Sequence, residues 1–282
     1  MINSIRMNMS YMIRRKSTVF TFAVLMIYVL INFFYNMNEN IERIYISQMF
    51  DLVKTSGLSS YAEYVHFFME YFPLLVMIPT AYCYLNDKNT NIKIYIESRV
   101  GKRNYWYGKL IAVFLVTLLV FIIPFLIELL ISCICFDINS LGDPSNIGYE
   151  QSIELDSLYP LSNLFIFNRI LFCILWIFIF GIISAILACF NFAVCTLNIF
   201  KYKILTFFPL YGLVYFITFA DKIFKPSYTL HYPFILEMFE LTPKNYTIYG
   251  LFLFIILILS IALVEIKVRR NDYKWNINGT GC

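Results

Sequence analysis

Apolar residues along the chain gather into six long runs, and short polar segments separate one run from the next. A helix that crosses a bilayer needs about 20 consecutive, mostly apolar residues. Each run comes close to that length or exceeds it, and the predicted spans cover residues 17–36, 67–86, 110–136, 167–195, 203–221 and 247–265. The pattern therefore predicts an all-α membrane protein with six transmembrane helices, built as one transmembrane domain over residues 1–282.

The second span has the weakest hydrophobic signal. Glu70 lies near its start, and Pro73 and Pro79 interrupt the apolar run. A proline inside a membrane helix leaves a backbone carbonyl without its donor, and neighbouring helices must supply one. We therefore expect this span to be kinked and enclosed in a helix bundle.

The first sixteen residues predict an amphipathic helix that lies on the membrane surface. Helical spacing relates four apolar residues, Ile2, Ile5, Met9 and Met12, while polar and basic residues occupy the rest of the wheel. Such a helix buries its apolar face at the headgroup boundary. A frayed basic tail that serves only as a topology signal is the alternative.

Positive charge predicts the orientation of the spans. With the N-terminus in the cytoplasm, sixteen of the 22 Lys and Arg residues fall in cytoplasmic segments. The loop 136–168 on the other side carries five acidic residues before Arg169 and no basic residue. Because cytoplasmic loops are enriched in Lys and Arg, both termini are predicted to be cytoplasmic.

Composition agrees with a polytopic membrane protein. The chain has 282 residues, 60% of them apolar and 14% charged, whereas soluble domains are about 45–50% apolar and about 25% charged. Its mean hydropathy is +0.70. Six spans with short connections use this length, so we expect no further soluble domain.

Motifs for catalysis and cofactor binding are not found. A P-loop requires G-x-x-x-x-G-K-[ST], and "GKR" at 101–103 and "GKL" at 108–110 lack the spacing and the hydroxyl. His66 and His231, the two histidines, belong to no zinc motif, and no further ligand accompanies Cys133 and Cys135. No catalytic residue, metal or cofactor is therefore assigned to this chain, and it is not expected to be an enzyme.

Glu128 is an ionisable residue inside the third predicted span. Intramembrane acids are costly and face the bundle interior or water by default. Glu128 could contact a cationic substrate, carry a proton, or act in an intramembrane enzyme. It could equally have a structural partner, such as Arg169. Three aromatic residues, Phe121, Phe125 and Trp176, could line a translocation path, although helix packing and lipid contact explain them equally well.

Residues 87–109 form a basic, aromatic segment between the second and third spans. Lys102 and Arg103 precede three aromatic residues suited to the headgroup layer, and Lys109 closes the segment; the proposed interface anchors are Tyr105, Trp106, Tyr107 and Lys109. Lipid anchoring and the bias toward cytoplasmic positive charge would account for this composition without any partner protein.

The same segment resembles the first cytoplasmic loop of ABC-2 type transporter permeases. In that family an acid ends the second span, a short helix and a basic turn follow, and an aromatic stretch with Gly-Lys opens the third span. The matching residues are Asp87, Thr90, Arg99, Arg103, Tyr105, Tyr107, Gly108 and Lys109. Two positions differ, since Asn89 replaces the family's glycine and Val100-Gly101 replaces a proline.

The resemblance implies a membrane-spanning subunit of an ATP-driven exporter, in the bacterial cytoplasmic membrane. Loop 87–109 would be a cytoplasmic coupling helix that docks on a separate ATPase, present in two copies that carry the ATP and Mg. The implied coupling residues are Asp87, Thr90, Arg99, Lys102 and Arg103. A second permease chain, identical or related, would complete the complex within the lipid bilayer.

The expected cargo is a hydrophobic or amphipathic compound, such as a peptide antibiotic or drug, and no nucleic-acid partner is expected. The family also implies short helices that dip back toward the membrane within residues 221–247. A membrane scaffold or assembly protein without transport activity is the alternative function.

Overall fold

Helices account for almost all of the chain that the structure describes. The computed structural model describes residues 2–41, 55–59, 62–89, 92–135, 161, 164, 167–197, 203–224, 230–238 and 246–269. The α-helices are α1 (Ile2–Ile13), α2 (Lys16–Ile41), α3 (Val65–Asn89), α4 (Ile92–Val100), α5 (Lys102–Cys135), α6 (Arg169–Cys195), α7 (Phe208–Phe224), α8 (Tyr232–Leu236) and α9 (Tyr246–Arg269). A short 3₁₀ helix, Lys203–Phe207, leads directly into α7. The all-α prediction is confirmed for these ranges.

Among the described residues, four helices are long and apolar enough to cross a membrane. They are Lys16–Asn38, Lys102–Cys135, Arg169–Cys195 and Thr247–Arg269. Large apolar side chains such as Phe20, Ile134 and Phe216 point outward from the bundle, as expected for surfaces that contact lipid acyl chains. The chain is therefore a helical membrane protein.

The second and fifth predicted spans correspond to α3 and α7. Their apolar stretches are shorter, Val65–Thr80 and Leu205–Ala220. Length and composition thus support four spans, and the six-span topology with two cytoplasmic termini stays a prediction.

The two longest apolar helices, α5 and α6, form the centre of the bundle. They pack against each other along their length, and α1, α2, α3 and α9 pack around them. Gly181 of α6 permits the close crossing, because a Cβ atom there would lie 2.4 Å from Ile122 Cγ1 on α5. Small residues at helix crossings are the usual means by which membrane helices approach closely.

The prolines of α3 were expected to leave backbone carbonyls that accept hydrogen bonds from neighbouring elements. Such a hydrogen bond is present near Pro73. Pro73 has no N–H, so the carbonyl of Met69 one turn earlier has no helical donor. The hydroxyl of Tyr232 on α8 donates to that carbonyl at 2.7 Å. Burial raises the pKa of Tyr232, so the hydroxyl keeps the proton that it donates.

The third span was predicted to start at residue 110, and the helix that contains it starts eight residues earlier. Helix α5 begins at Lys102, so a large part of the predicted loop is helical. Lys109 looked like a boundary because a charged side chain normally leaves the apolar layer. Here it forms a buried ion pair with Asp87, and the helix continues through it.

We expect Gly181→Ala to lower the stability of the bundle by about 1–3 kcal/mol, because the new methyl group overlaps Ile122. Gly250→Ala on α9 is the matched control, since no atom lies within 4 Å of a Cβ at that position. Melting temperatures of the detergent-solubilised proteins measure the difference. Equal melting temperatures for the two variants would contradict the close crossing of α5 and α6.

Candidate functional site

One end of the bundle, here called the basal end, contains α1, α4, the end of α3 and the start of α5. Helix α4 is a separate nine-residue helix between the two longer ones. Gly101 separates it from α5 with φ +83°, a left-handed conformation that glycine adopts readily. Gly101 thus provides a sharp change of direction between α4 and α5.

A buried ion pair joins the end of α3 to the start of α5. Lys109 Nζ donates to Asp87 Oδ2, and the two side chains are 2% and 5% exposed. The hydroxyl of Tyr105 donates to the same Asp87 oxygen at 2.8 Å. A buried charge is tolerated when it is paired and hydrogen-bonded. The three side chains therefore lock the two helices that flank α4.

This geometry changes the roles expected of several residues. Asp87, expected at the contact with an ATPase, is buried and joins the end of α3 to the start of α5. Tyr105 and Trp106 are completely buried and do not face lipid headgroups. Both were predicted as interface anchors from aromatic character alone, which does not distinguish core packing from interface contact. Thr90 lies outside the described residues.

The exposed side of α4 continues onto the first turn of α5. Tyr95 is 71% exposed, and Arg99 and Arg103 are also exposed. Ile96 and Glu97 form the opposite, inward side of α4. We call the exposed residues Tyr95, Arg99 and Arg103 the basal patch. Lys102, at the edge of this patch, is half-buried.

Tyr107 links α5 to the end of α9. Its hydroxyl donates to Glu265 Oε2 at 2.7 Å, and Arg269 Nε donates to Glu265 Oε1 at 3.0 Å. The Arg103 guanidinium lies 5.8 Å from the centre of the Tyr107 ring. Tyr107 thus connects the basal patch to a long helix of the bundle.

Helix α1 packs on α5 through polar side chains. Ser4, Asn8 and Met12 form its buried face, and Ser4 Oγ donates to the Asn104 carbonyl at 3.2 Å. Gly108 makes this approach possible, because a Cβ there would lie 2.6 Å from Ser4 Oγ. The apolar residues of α1, including Ile2 and Ile5, line a groove on another side, where they are accessible to lipid.

The opposite end of the bundle, the distal end, contains the Glu128 site. Glu128 Oε1 accepts hydrogen bonds from Asn32 Nδ2 at 2.7 Å and from the Gly57 backbone N–H at 3.0 Å. The same Asn32 amide donates to the Thr55 carbonyl at 2.8 Å, and Tyr28 donates to the Gly57 carbonyl at 2.6 Å. Glu128 therefore fastens residues 55–59 into the bundle between α2 and α5.

The sequence predicted that Glu128 would face the bundle interior or water, but it did not identify these partners. Its hydrogen bonds go to Asn32 and Gly57, and Arg169 is not among them. A Cβ at position 57 would lie 3.1 Å from the Tyr28 ring and 3.2 Å from Glu128 Oε1, so a larger residue there would require these side chains to shift by a few tenths of an ångström. The polar asparagine within an apolar run was the available signal.

Phe121, Phe125 and Trp176 lie in the packed interior. The rings of Phe121 and Phe125 contact Phe180 at centroid distances of 5.8 and 5.2 Å. Trp176 Nε1 donates to the Leu236 carbonyl at 2.8 Å, which attaches α8 to α6. The three residues are buried and belong to the packed core.

Comparisons with known proteins do not assign the chain to a family. No protein-family model, no curated protein and no solved structure matches it. The class that the fold defines is a helical membrane protein. Anything more specific depends on the two sites just described.

Lys109→Met should destabilise the protein by about 3–5 kcal/mol, because it leaves the Asp87 carboxylate buried without its counter-ion. Combining it with Asp87→Asn should recover part of the loss, since both charges are then removed. Arg14→Met, at an exposed basal position, is the control for lost positive charge. If the variant with both Lys109→Met and Asp87→Asn were no more stable than Lys109→Met alone, the result would argue against a buried ion pair between Asp87 and Lys109. Thermal melting in detergent measures all four proteins.

Glu128→Gln should be close to wild type in stability, because its carbonyl oxygen can accept both hydrogen bonds. Glu128→Leu should cost more than about 2 kcal/mol, since the Gly57 N–H and one Asn32 N–H lose their acceptor in a buried site. Thermal melting compares the two variants. Equal stability of Glu128→Leu and Glu128→Gln would mean that these hydrogen bonds do not hold residues 55–59.

Proposed function

We propose that the chain is the membrane-spanning subunit of an ATP-driven exporter of the ABC-2 type. The observation that carries this proposal is the construction of the basal end. A short helix, α4, presents the basal patch outward, and a buried ion pair locks the helices on both sides of it. A docking element that must transmit force needs both an exposed contact surface and a rigid attachment.

The connections of α4 support a lever-like role. Asp87 and Lys109 attach the ends of α3 and α5 to each other, so a push on α4 moves both helices together. Tyr107 extends the connection to α9 through Glu265, and Ser4 extends it to α1. Gly101 is the one sharp bend between α4 and α5. Displacement of α4 by a partner is thereby passed to at least four helices.

The charge of the basal patch indicates the kind of surface that would receive it. Arg99 and Arg103 are exposed, and an Arg fork binds carboxylates in a well-defined geometry. Tyr95 adds an aromatic ring that can be buried at a protein interface, where Tyr and Arg are enriched. The proposed partner is an ATPase subunit, present twice, whose docking groove carries acidic residues.

In the proposed complex the basal end is cytoplasmic, and the chain crosses the bacterial cytoplasmic membrane six times. A second permease chain, identical or related, completes the membrane part. ATP and Mg belong to the ATPase subunits. The cargo is a hydrophobic or amphipathic compound, such as a peptide antibiotic or drug, in keeping with the apolar character of the bundle.

A membrane scaffold without transport activity is the second candidate. The observation that favours it is the filled interior, since Phe121, Phe125 and Phe180 pack against one another in the middle of the bundle. An exporter requires these helices to rearrange or the path to lie between two permease chains. A scaffold requires neither.

The deciding experiment is purification of the chain from its native host in a mild detergent, followed by mass analysis of the stoichiometric partners. We expect an ATPase with a P-loop, and we expect Arg99→Glu combined with Arg103→Glu to abolish its recovery. The reason is that charge reversal places two acids against an acidic groove.

The control is Arg14→Glu combined with Lys16→Glu, which reverses two exposed basal charges away from α4. This pair should leave ATPase recovery unchanged. Absence of an ATPase in several detergents and in nanodiscs would overturn the exporter proposal. Equal loss in both double variants would show a general charge effect and not docking through the basal patch.

A further inference from the structure

A cavity of about 450 Å³ lies at the distal end between α3, α7 and α8. Three tyrosines contribute to its wall, namely Tyr211 and Tyr215 on α7 and Tyr232 on α8. The rings of Tyr211 and Tyr215 lie nearly parallel with their centres 6.3 Å apart, and Tyr215 is 70% exposed. We call this cavity the distal cleft. Small-molecule sites typically have volumes of about 300–1,000 Å³.

Two carboxylates complete the wall of the distal cleft. Glu70 lines it from α3 and is exposed, and Glu237 lines it from the end of α8 and is buried. His66 Nδ1 lies 3.7 Å from Glu237 Oε1. Among the described residues, no Lys or Arg side chain lines the cleft. The titratable groups other than tyrosine that line the cleft in the described part of the chain are these two carboxylates and the imidazoles of His66 and His231.

The cleft is held in shape by bonds between its walls. Tyr232 is fastened to α3 through the Met69 carbonyl that Pro73 leaves without a helical donor. Leu236 is fastened to α6 through Trp176. The Met238 N–H donates to the Leu58 carbonyl at 2.8 Å, which ties the end of α8 to residues 55–59. These bonds hold the walls of the cleft in place, so binding of a ligand there needs little rearrangement.

We propose that the distal cleft binds organic cations that carry an apolar or aromatic body. Aromatic faces attract cations through the ring quadrupole, by about 0.5–2 kcal/mol according to solvation. The Glu70 carboxylate adds attraction at the open side, and the tyrosine rings offer an apolar surface for the body of the ligand. A compound with one positive charge and several hydrophobic groups satisfies both features together.

A bound lipid acyl chain is the competing occupant, and the composition of the cleft argues against it. An acyl chain gains nothing from two carboxylates and would remove one of them from water. An anionic ligand would meet repulsion from the exposed Glu70 carboxylate. The acidic and aromatic combination therefore selects for positive charge.

Binding at the distal cleft stands independently of transport. Identification of the bound cation as the cargo, by contrast, rests on the exporter function proposed above. The test therefore measures binding alone, with neither ATPase nor ATP present, so a failure here leaves the exporter proposal untouched.

The test uses tetraphenylphosphonium and tetraphenylborate, two ions of nearly the same shape and apolar surface but opposite charge. The purified full-length chain is placed in nanodiscs of zwitterionic phosphatidylcholine, and binding of each radiolabelled ion is measured by equilibrium dialysis against empty nanodiscs. We expect saturable binding of the phosphonium cation at one site and no saturable binding of the borate anion.

Variants locate the site. Glu70→Gln and Tyr215→Leu should each weaken phosphonium binding about three- to tenfold. Glu63→Gln is the matched control, because Glu63 is exposed near the same end of α3 but does not line the cleft. Glu70 and Tyr215 are exposed, so both variants should melt like the wild type, and melting curves verify this.

Saturable binding of the borate anion with similar affinity would overturn the proposal, since it would reflect apolar partitioning without charge selection. An equal effect of Glu63→Gln and Glu70→Gln would also overturn it, because the attraction would then belong to the surface charge of the distal end and not to the cleft.

Discussion

Polar groups inside a membrane protein must find their partners within the protein, because acyl chains offer neither donors nor acceptors. Three such groups organise this bundle. The Met69 carbonyl, orphaned by Pro73, holds Tyr232 and with it α8. The Glu128 carboxylate holds the Gly57 backbone and with it residues 55–59. Asp87 holds Lys109 and Tyr105 and fixes the entry into α5. Each polar group draws a connecting segment onto the helices.

The two ends of the bundle differ in how these polar groups are arranged and in the charge of their exposed residues. At the basal end the polar pair is buried and the outward residues are basic, so the end is rigid within and positively charged outside. At the distal end the polar bonds support a cap made of residues 55–59 and 230–238, whose short bridge pairs Ser59 with Met238. A protein that couples a partner on one side to a ligand on the other would need both properties.

The interior between the two ends is filled by aromatic rings. The ring centroids of Phe72, Phe121 and Phe180 lie 5.4–5.9 Å from one another. Phe121 is on α5 and Phe180 is on α6, so these rings contribute to the contact between the two helices. Closely packed protein interiors have low compressibility and transmit strain. A movement imposed on α4 should therefore shift whole helices, which is the behaviour that the proposed coupling requires.

The sequence alone determined the class of the protein, because long apolar runs can be buried only in a membrane or a core, and the runs were located close to the helices observed. It also predicted that a carbonyl freed by Pro73 would need a donor from elsewhere in the protein, and that Glu128 would face either the bundle interior or water. It did not predict that Lys109 is paired with Asp87, that Trp106 is buried, or that Gly57 reaches Glu128. The two pairings join residues 22 and 71 positions apart. Only the tertiary structure decides which distant polar groups meet, because a one-dimensional pattern carries periodicity but not distance.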